Sequence, residues 1–177
     1  MIIYLDMDGV IADFFKRFAE LNDVAHWKTI KEKDKALRAL GSTDYFNQLD
    51  TFYDDDVDVS AEIVNYVKKA SIDNNIDWGI CSSPLRGDHN NSSYWKRVWL
   101  QDRDFVPSIE NMVFTSHKSK YAINGLTGRP NILVDDKISN IIEWKNKGGI
   151  GIRFQADQDD YKEYLFPALE DAIRNNK

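Results

Sequence analysis

Short apolar runs recur along this chain, each closed by polar or acidic residues, and between them apolar positions return at helical spacing. The first run, Ile2-Ile3-Tyr4-Leu5, leads directly into Asp6 and predicts a short buried strand. Phe14, Phe15, Phe18 and Leu21 then share one helical face, with Asp13 placed to cap the free backbone N–H groups. A helix is predicted from about Ser60 to Ser71, apolar at Ile63, Val64 and Val67, with Lys68 and Lys69 near its end, where cations complement the helix dipole. Further strands are predicted at Ile76–Cys81, Asn111–Phe114, Ile132–Val134 and Ile150–Phe154. Helices are predicted over 92–101, 139–147 and 159–174, the second closed by Gly148-Gly149. Trp95 and Trp99 lie one turn apart in the first of these and read as core rather than as a platform for stacking bases. Strands alternating with helices predict an α/β fold built on a parallel, doubly wound sheet.

The stretch from 22 to 58 breaks this rhythm. It lacks strand character, carries short helical spacings around Trp27, Ile30, Leu37 and Leu40, and is interrupted at Gly41-Ser42. Tyr45, Phe46 and Leu49 form an aromatic-rich patch, and Asp54-Asp55-Asp56 reads as a solvated loop because like charges repel and favour water. Residues 1–177 are therefore expected to form one catalytic domain, with a small helical cap inserted over approximately 15–58.

Composition narrows the function. Hydrophobic residues make up 42% of the 177, enough for a core, and the formal charge of −6 argues against general affinity for a nucleic-acid backbone. Cys81 is the only cysteine, so neither an internal disulfide nor a cysteine-based zinc cluster can form. Its apolar neighbours suggest a buried strand thiol. No signal peptide and no apolar run of membrane-spanning length is seen, and a cytoplasmic protein is expected.

Candidate chemistry gathers at the strand ends, where open α/β sheets carry their sites. Asp6-Met7-Asp8-Gly9 follows the first strand. Two carboxylates separated by one residue suit a hard cation such as Mg²⁺, and one of them can serve as nucleophile while the other moves a proton. Ser82-Ser83 after the second strand offers a hydroxyl and backbone N–H groups to phosphate oxygens without adding charge. Arg86 follows, its planar fork matched to phosphate. The third strand is followed by Ser116-His117-Lys118-Ser119-Lys120, where one lysine would neutralise both the nucleophile and the phosphate, and His117 reads as a loop residue. The fourth ends in Asp135-Asp136.

Asp6-Met7-Asp8-Gly9-Val10 resembles the first motif of the haloacid dehalogenase superfamily of phosphatases, and the string through Ala12-Asp13-Phe14 is similar to the 5'(3')-deoxyribonucleotidases, including phage and bacterial types. Cys81-Ser82-Ser83-Pro84 stands where those enzymes carry Cys-Thr-Ser-Pro, and Ile132-Leu133-Val134-Asp135-Asp136 is similar to their last motif. The resemblance implies a phosphomonoesterase in which Asp6 attacks phosphorus, Asp8 is general acid and then base, and Ser82 and Ser83 hold phosphate. Asp6, Asp8 (through its backbone carbonyl), Asp135 and Asp136 would bind Mg²⁺. The resemblance selects Lys118 as the motif lysine and leaves Lys120 as the alternative. Phe14 and Phe46 would lie against a nucleobase. The partners expected are a small phosphomonoester, most simply a deoxynucleoside monophosphate, with no nucleic-acid polymer and no membrane; a homodimer is the one assembly allowed for. A sugar-phosphate phosphatase, a silent phosphate-binding protein and a nucleic-acid 3'-phosphatase stay open as rivals.

Overall fold

In the computed structural model, which describes residues 1–176, the chain folds as an α/β layer structure. Its elements in order are β1 (Ile2–Leu5), α1 (Phe14–Leu21), α2 (Lys33–Ala39), β2 (Tyr53–Asp54), β3 (Val57–Asp58), α3 (Val59–Asn74), β4 (Asp77–Ser82), α4 (His89–Asp102), β5 (Met112–Phe114), β6 (Ile132–Asp135), α5 (Ile138–Asn146), β7 (Ile150–Arg153) and α6 (Phe166–Arg174). Five strands make one parallel sheet in the order β5-β4-β1-β6-β7.

Alternation along β1 explains why helices cover both faces. Ile3 and Leu5 point into the larger core with Ile63, Val67, Trp99 and Leu169, while Ile2 and Tyr4 join Leu133, Ile141 and Trp144 on the other face. Gly79 is required where β4 passes Tyr4, since a Cβ would lie 2.4 Å from the Asn111 carbonyl oxygen. The chain leaves β1 toward β4 and β5, then returns to its other side for β6 and β7. β1 is therefore the switch point, and the crevice outside its C-terminal end is where the topology opens a binding site.

Between β1 and α3 the chain forms a layer of short helical pieces. Trp27 stacks on Phe15 with ring centroids 4.6 Å apart, and Phe14 meets Tyr45 at 5.3 Å and Phe46 at 6.0 Å. Tyr45 donates its hydroxyl to the Phe14 carbonyl at 2.8 Å, and Trp99 donates its indole N–H to the Leu49 carbonyl at 2.7 Å. Buried hydrogen bonds of this kind tie the layer to α1 and α4.

The structure departs from the sequence reading in three places. The stretch read as lacking strand character holds a small antiparallel hairpin, β2 with β3; the acidic run is exposed at its turn, as expected of a solvated segment, and Asp55 there adopts a positive φ of 50°. Two-residue strands are too short to show alternation in sequence. Helix α3 runs on to Asn74 and ends in a left-handed Asn75, so Lys68 and Lys69 lie inside it rather than at its end. There they bind the Asp104 carbonyl oxygen at 2.6 Å and Asp73 at 2.5 Å. The last helix begins with a wide π turn over Tyr161–Leu165 before α6.

Candidate active site

The turn after β1 is built by its own backbone. The N–H groups of Val10, Ile11 and Ala12 all converge on the Met7 carbonyl at 2.9–3.1 Å, and Met7, Val10, Ile11 and Ala12 are all fully buried. Gly9 makes this possible in two ways. Its φ is +81°, and a Cβ there would stand 2.8 Å from an Asp136 carboxylate oxygen. The turn aims Asp6 and Asp8 over the sheet edge, where β4, β6 and the segment after β5 deliver their own polar groups.

Two buried lysines organise these groups. Lys118 sits 2.8 Å from Asp6 Oδ2 and 2.5 Å from Asp135 Oδ2. Burial works to lower its pKa, but Asp6 and Asp135 outweigh burial and hold it well above the usual lysine range. Lys120 is exposed and stands outside this arrangement, so the geometry separates the two lysines that the sequence left as alternatives. Asp6 also accepts the Met7 N–H at 2.7 Å. Asp135 is saturated by the Lys137 N–H at 2.9 Å, by Asn140 at 3.0–3.1 Å and by Lys118, which fixes its orientation.

Lys96 is the second lysine, and sequence reasoning missed it. It is 0% exposed, and its Nζ binds Asp8 Oδ2 at 2.8 Å, Ser82 Oγ at 2.8 Å and the Ser83 carbonyl at 3.0 Å. The Phe46 ring lies 4.7 Å away, adding a cation–π contact. A signal for it existed. In α4 the buried positions are Ser92, Ser93, Lys96, Trp99 and Leu100, so a lysine lies in the middle of the helix's inward stripe, where an unpaired charge is not tolerated.

Burial, reinforced by Asp6, raises the Asp8 carboxyl above the ordinary carboxylate range against the pull of Lys96. Its second oxygen, Oδ1, is buried with no hydrogen-bond partner. Asp136 is pushed up to about 8 by burial first and then by Asp6, Asp135 and Asp8. Carboxylate oxygens of Asp6, Asp135 and Asp136 all lie within 4.8 Å of one another, a group that could hold a metal ion. An all-oxygen donor set of this kind suits a hard cation, which would relieve the burial and mutual repulsion that raise Asp136. The Asp8 side chain lies outside this trio, engaged by Lys96.

The remaining sequence-predicted residues fall around one cavity of about 560 Å³ whose lining includes Asp8, Phe14, Phe46, Ser83 and Arg86. Phe14 and Phe46 also belong to the core, at 8% and 3% exposure. Ser82 is buried beneath the cavity on Lys96. The Ser83 hydroxyl reaches the Thr115 carbonyl at 3.4 Å. His117 is exposed, in contact with Ser116. Cys81 is buried in β4 and its thiol is pushed up to about 12, which leaves it inert. No helix among the described residues is long and apolar enough to cross a membrane.

No protein-family model and no curated protein matches the chain. Among solved structures it is similar to a hydrolase from Pseudomonas syringae, at 13% identity and a TM-score of 0.44, over 95% of this chain and 90% of that one. A likeness that distant carries no argument about chemistry. The site rests on its own geometry.

Proposed function

We propose that this protein is a Mg²⁺-dependent phosphomonoesterase of the haloacid dehalogenase type that dephosphorylates (deoxy)nucleoside monophosphates. One observation carries the reading: polar groups from five separate segments converge at the switch point of the sheet as two cation-centred clusters, Lys118 with Asp6 and Asp135, and Lys96 with Asp8 and Ser82. The second oxygen of Asp8, buried without a hydrogen-bond partner in one of these clusters, supports a functional rather than a purely structural arrangement.

In this reading Asp6, held in place by the Met7 N–H and Lys118, attacks phosphorus and forms an aspartyl-phosphate, while the bond to the leaving nucleoside oxygen breaks. Asp8 lines the cavity, where burial raises its carboxyl against the pull of Lys96, and it would give a proton to that leaving oxygen. The same carboxylate then takes a proton from the water that hydrolyses the intermediate, releasing inorganic phosphate and restoring Asp6. Lys118 and Lys96 are fixed before substrate arrives, so they stabilise charge on the phosphoryl oxygens without reorganising. Asp6, Asp135 and Asp136 are the residues that would hold Mg²⁺, whose contribution when bound is to neutralise the repulsion between carboxylates and a phosphate dianion. Phe14 and Phe46 support a nucleoside as the leaving group, because they give the cavity an aromatic wall beside Asp8.

The test is phosphate release from deoxynucleoside and ribonucleoside monophosphates and from sugar phosphates, with and without Mg²⁺. Turnover of nucleotides that needs Mg²⁺ and is lost in Asp6→Asn is the expected result. Turnover of sugar phosphates alone would retain the mechanism and discard the substrate class. Folded protein that binds Mg²⁺ and hydrolyses nothing would overturn the enzymatic reading.

A further inference from the structure

We infer that the cap reads the base, and that Asp34 and Arg38 select guanine; this rests on the nucleotide reading above. Both side chains belong to α2 and line the cavity that has Asp8 at its floor and Phe14 and Phe46 on its wall. Four residues apart on one helix, they share a face and stand at the spacing that favours an ion pair. They do not form one. Their neighbours on the same helix are engaged elsewhere, Lys35 with Glu32 at 3.2 Å and Lys33 over the Trp27 ring at 5.1 Å. Among the described residues neither the Asp34 carboxylate nor the Arg38 guanidinium has a hydrogen-bond or ion-pair partner; both are exposed at the rim of this cavity and also border the open surface beside α2, so an acceptor and a donor fork are free to turn to a ligand there.

Guanine is the base that answers this pair. Its edge presents two adjacent donors, N1–H and N2–H₂, followed by two adjacent acceptors, O6 and N7, and Arg paired to O6 and N7 is the commonest specific contact to that base. Asp34 would accept the two donors in bidentate fashion, and Arg38 would donate to O6 and N7. Adenine offers a single amino group flanked by acceptors, which leaves the carboxylate facing a lone pair. Thymine places its one N–H between two carbonyls, and cytosine turns an acceptor toward Asp34. A substrate carrying a second phosphate in place of a base would suit Arg38 and Arg86, but would bring a dianion against Asp34.

The experiment compares kcat/KM for dGMP, dIMP, dAMP, dCMP and dTMP with Mg²⁺, in wild type and in Asp34→Ala and Arg38→Ala. It adds the Kd of dGMP and dAMP for Asp6→Asn. dGMP should exceed dAMP by about tenfold or more, the discrimination supplied by one good bidentate contact. dIMP, which lacks the N2 amino group, should fall between them. Asp34→Ala should erase the difference between dGMP and dIMP, and Arg38→Ala should lower dGMP more than dTMP. Equal use of all bases, preference for another base, or an Asp34→Ala variant that lowers every substrate alike would overturn the inference and leave the nucleotidase reading standing. Turnover of non-nucleotide phosphoesters alone would overturn both.

Discussion

The floor of the cavity and its cap wall are built on opposite principles. At and beneath Asp8 two lysines are paired before substrate arrives: Lys118 lies between Asp6 and Asp135, and Lys96 lies between Asp8 and Ser82, both lysines at 3% exposure or less. On the cap wall, Asp34 and Arg38 are exposed and unpaired among the described residues, as is Arg86 in the loop after β4. Preorganised charge costs nothing to arrange at the moment of reaction, so it belongs where a transition state must be stabilised. Unpaired groups at a solvated wall cost little in stability, because water serves them until a ligand does. In the proposed function the chemistry is thus assigned to groups at the sheet edge, and selectivity to a short helix beside the cavity.

The strongest way to break this comparison is to remove floor residues. Asp6→Asn should lower phosphate release by about 10⁴-fold or more, as loss of a nucleophile does, while the protein stays folded. Lys118→Met should be nearly as damaging, because it leaves Asp6 and Asp135 unpaired in the interior. Lys120→Met, two residues away and exposed, should keep stability within about 0.5 kcal/mol of wild type. If Lys120 proves to be the sensitive position in a parallel assay of both variants, the assignment of the lysine is wrong.

Lys96→Met comes next. A preorganised donor is worth about 10²–10³ in kcat, and breaking a buried ion pair costs about 3–5 kcal/mol in stability. A purely structural role would move only the melting temperature. A role in setting Asp8 would also move the pH profile, since loss of Lys96 removes the main influence that lowers the Asp8 pKa. The limb of the kcat/KM profile that reports Asp8 should shift to higher pH.

Asp136 gives a smaller effect that can be read without turnover. Its ordinary pKa of 3.8 is raised to about 8 in the folded protein. Between those values the native state holds a proton that the unfolded chain has lost, so metal-free protein should lose stability as pH rises from about 4 to about 8. Asp136→Asn should flatten that slope. Mg²⁺ should bind more tightly as pH rises through the same window, since the cation displaces the proton. Thermal melts across this range, with and without Mg²⁺, check both statements, and a pH-independent melting temperature for metal-free wild type would contradict them.

The gentlest change is on the aromatic wall. Phe46→Leu conserves most of the volume but removes a stacking surface, so KM for nucleotides should rise by about fivefold to tenfold with kcat little altered. An unchanged KM would mean that the ring serves the core and Lys96 alone.

Much of the floor was legible in the chain because it is written at strand ends. Asp6, Ser82 and Asp135 each terminate or directly follow a run of apolar residues, and a parallel sheet brings such ends to one edge whatever the helices between them do. Asp13 as the cap of α1 was equally legible, since capping is a local interaction; its side chain accepts the Lys16 N–H at 3.3 Å. The hairpin at Tyr53–Asp58 was not, because two-residue strands carry no period.

By itself, then, the sequence determined the alternation of strands and helices, the order of the acidic and hydroxyl motifs and the turn that Gly9 permits. These depend on local propensity, periodicity and backbone sterics, which act over a few residues. Only the tertiary structure decided that Lys118 rather than Lys120 reaches the carboxylates, that Lys96 crosses from α4 to hold Asp8 and Ser82, and that Asp34 and Arg38 line the same cavity as Phe14 and Phe46. Those relations join residues far apart in the chain, and the partner of a lysine or an arginine is set by what the fold carries to within a few ångströms of it.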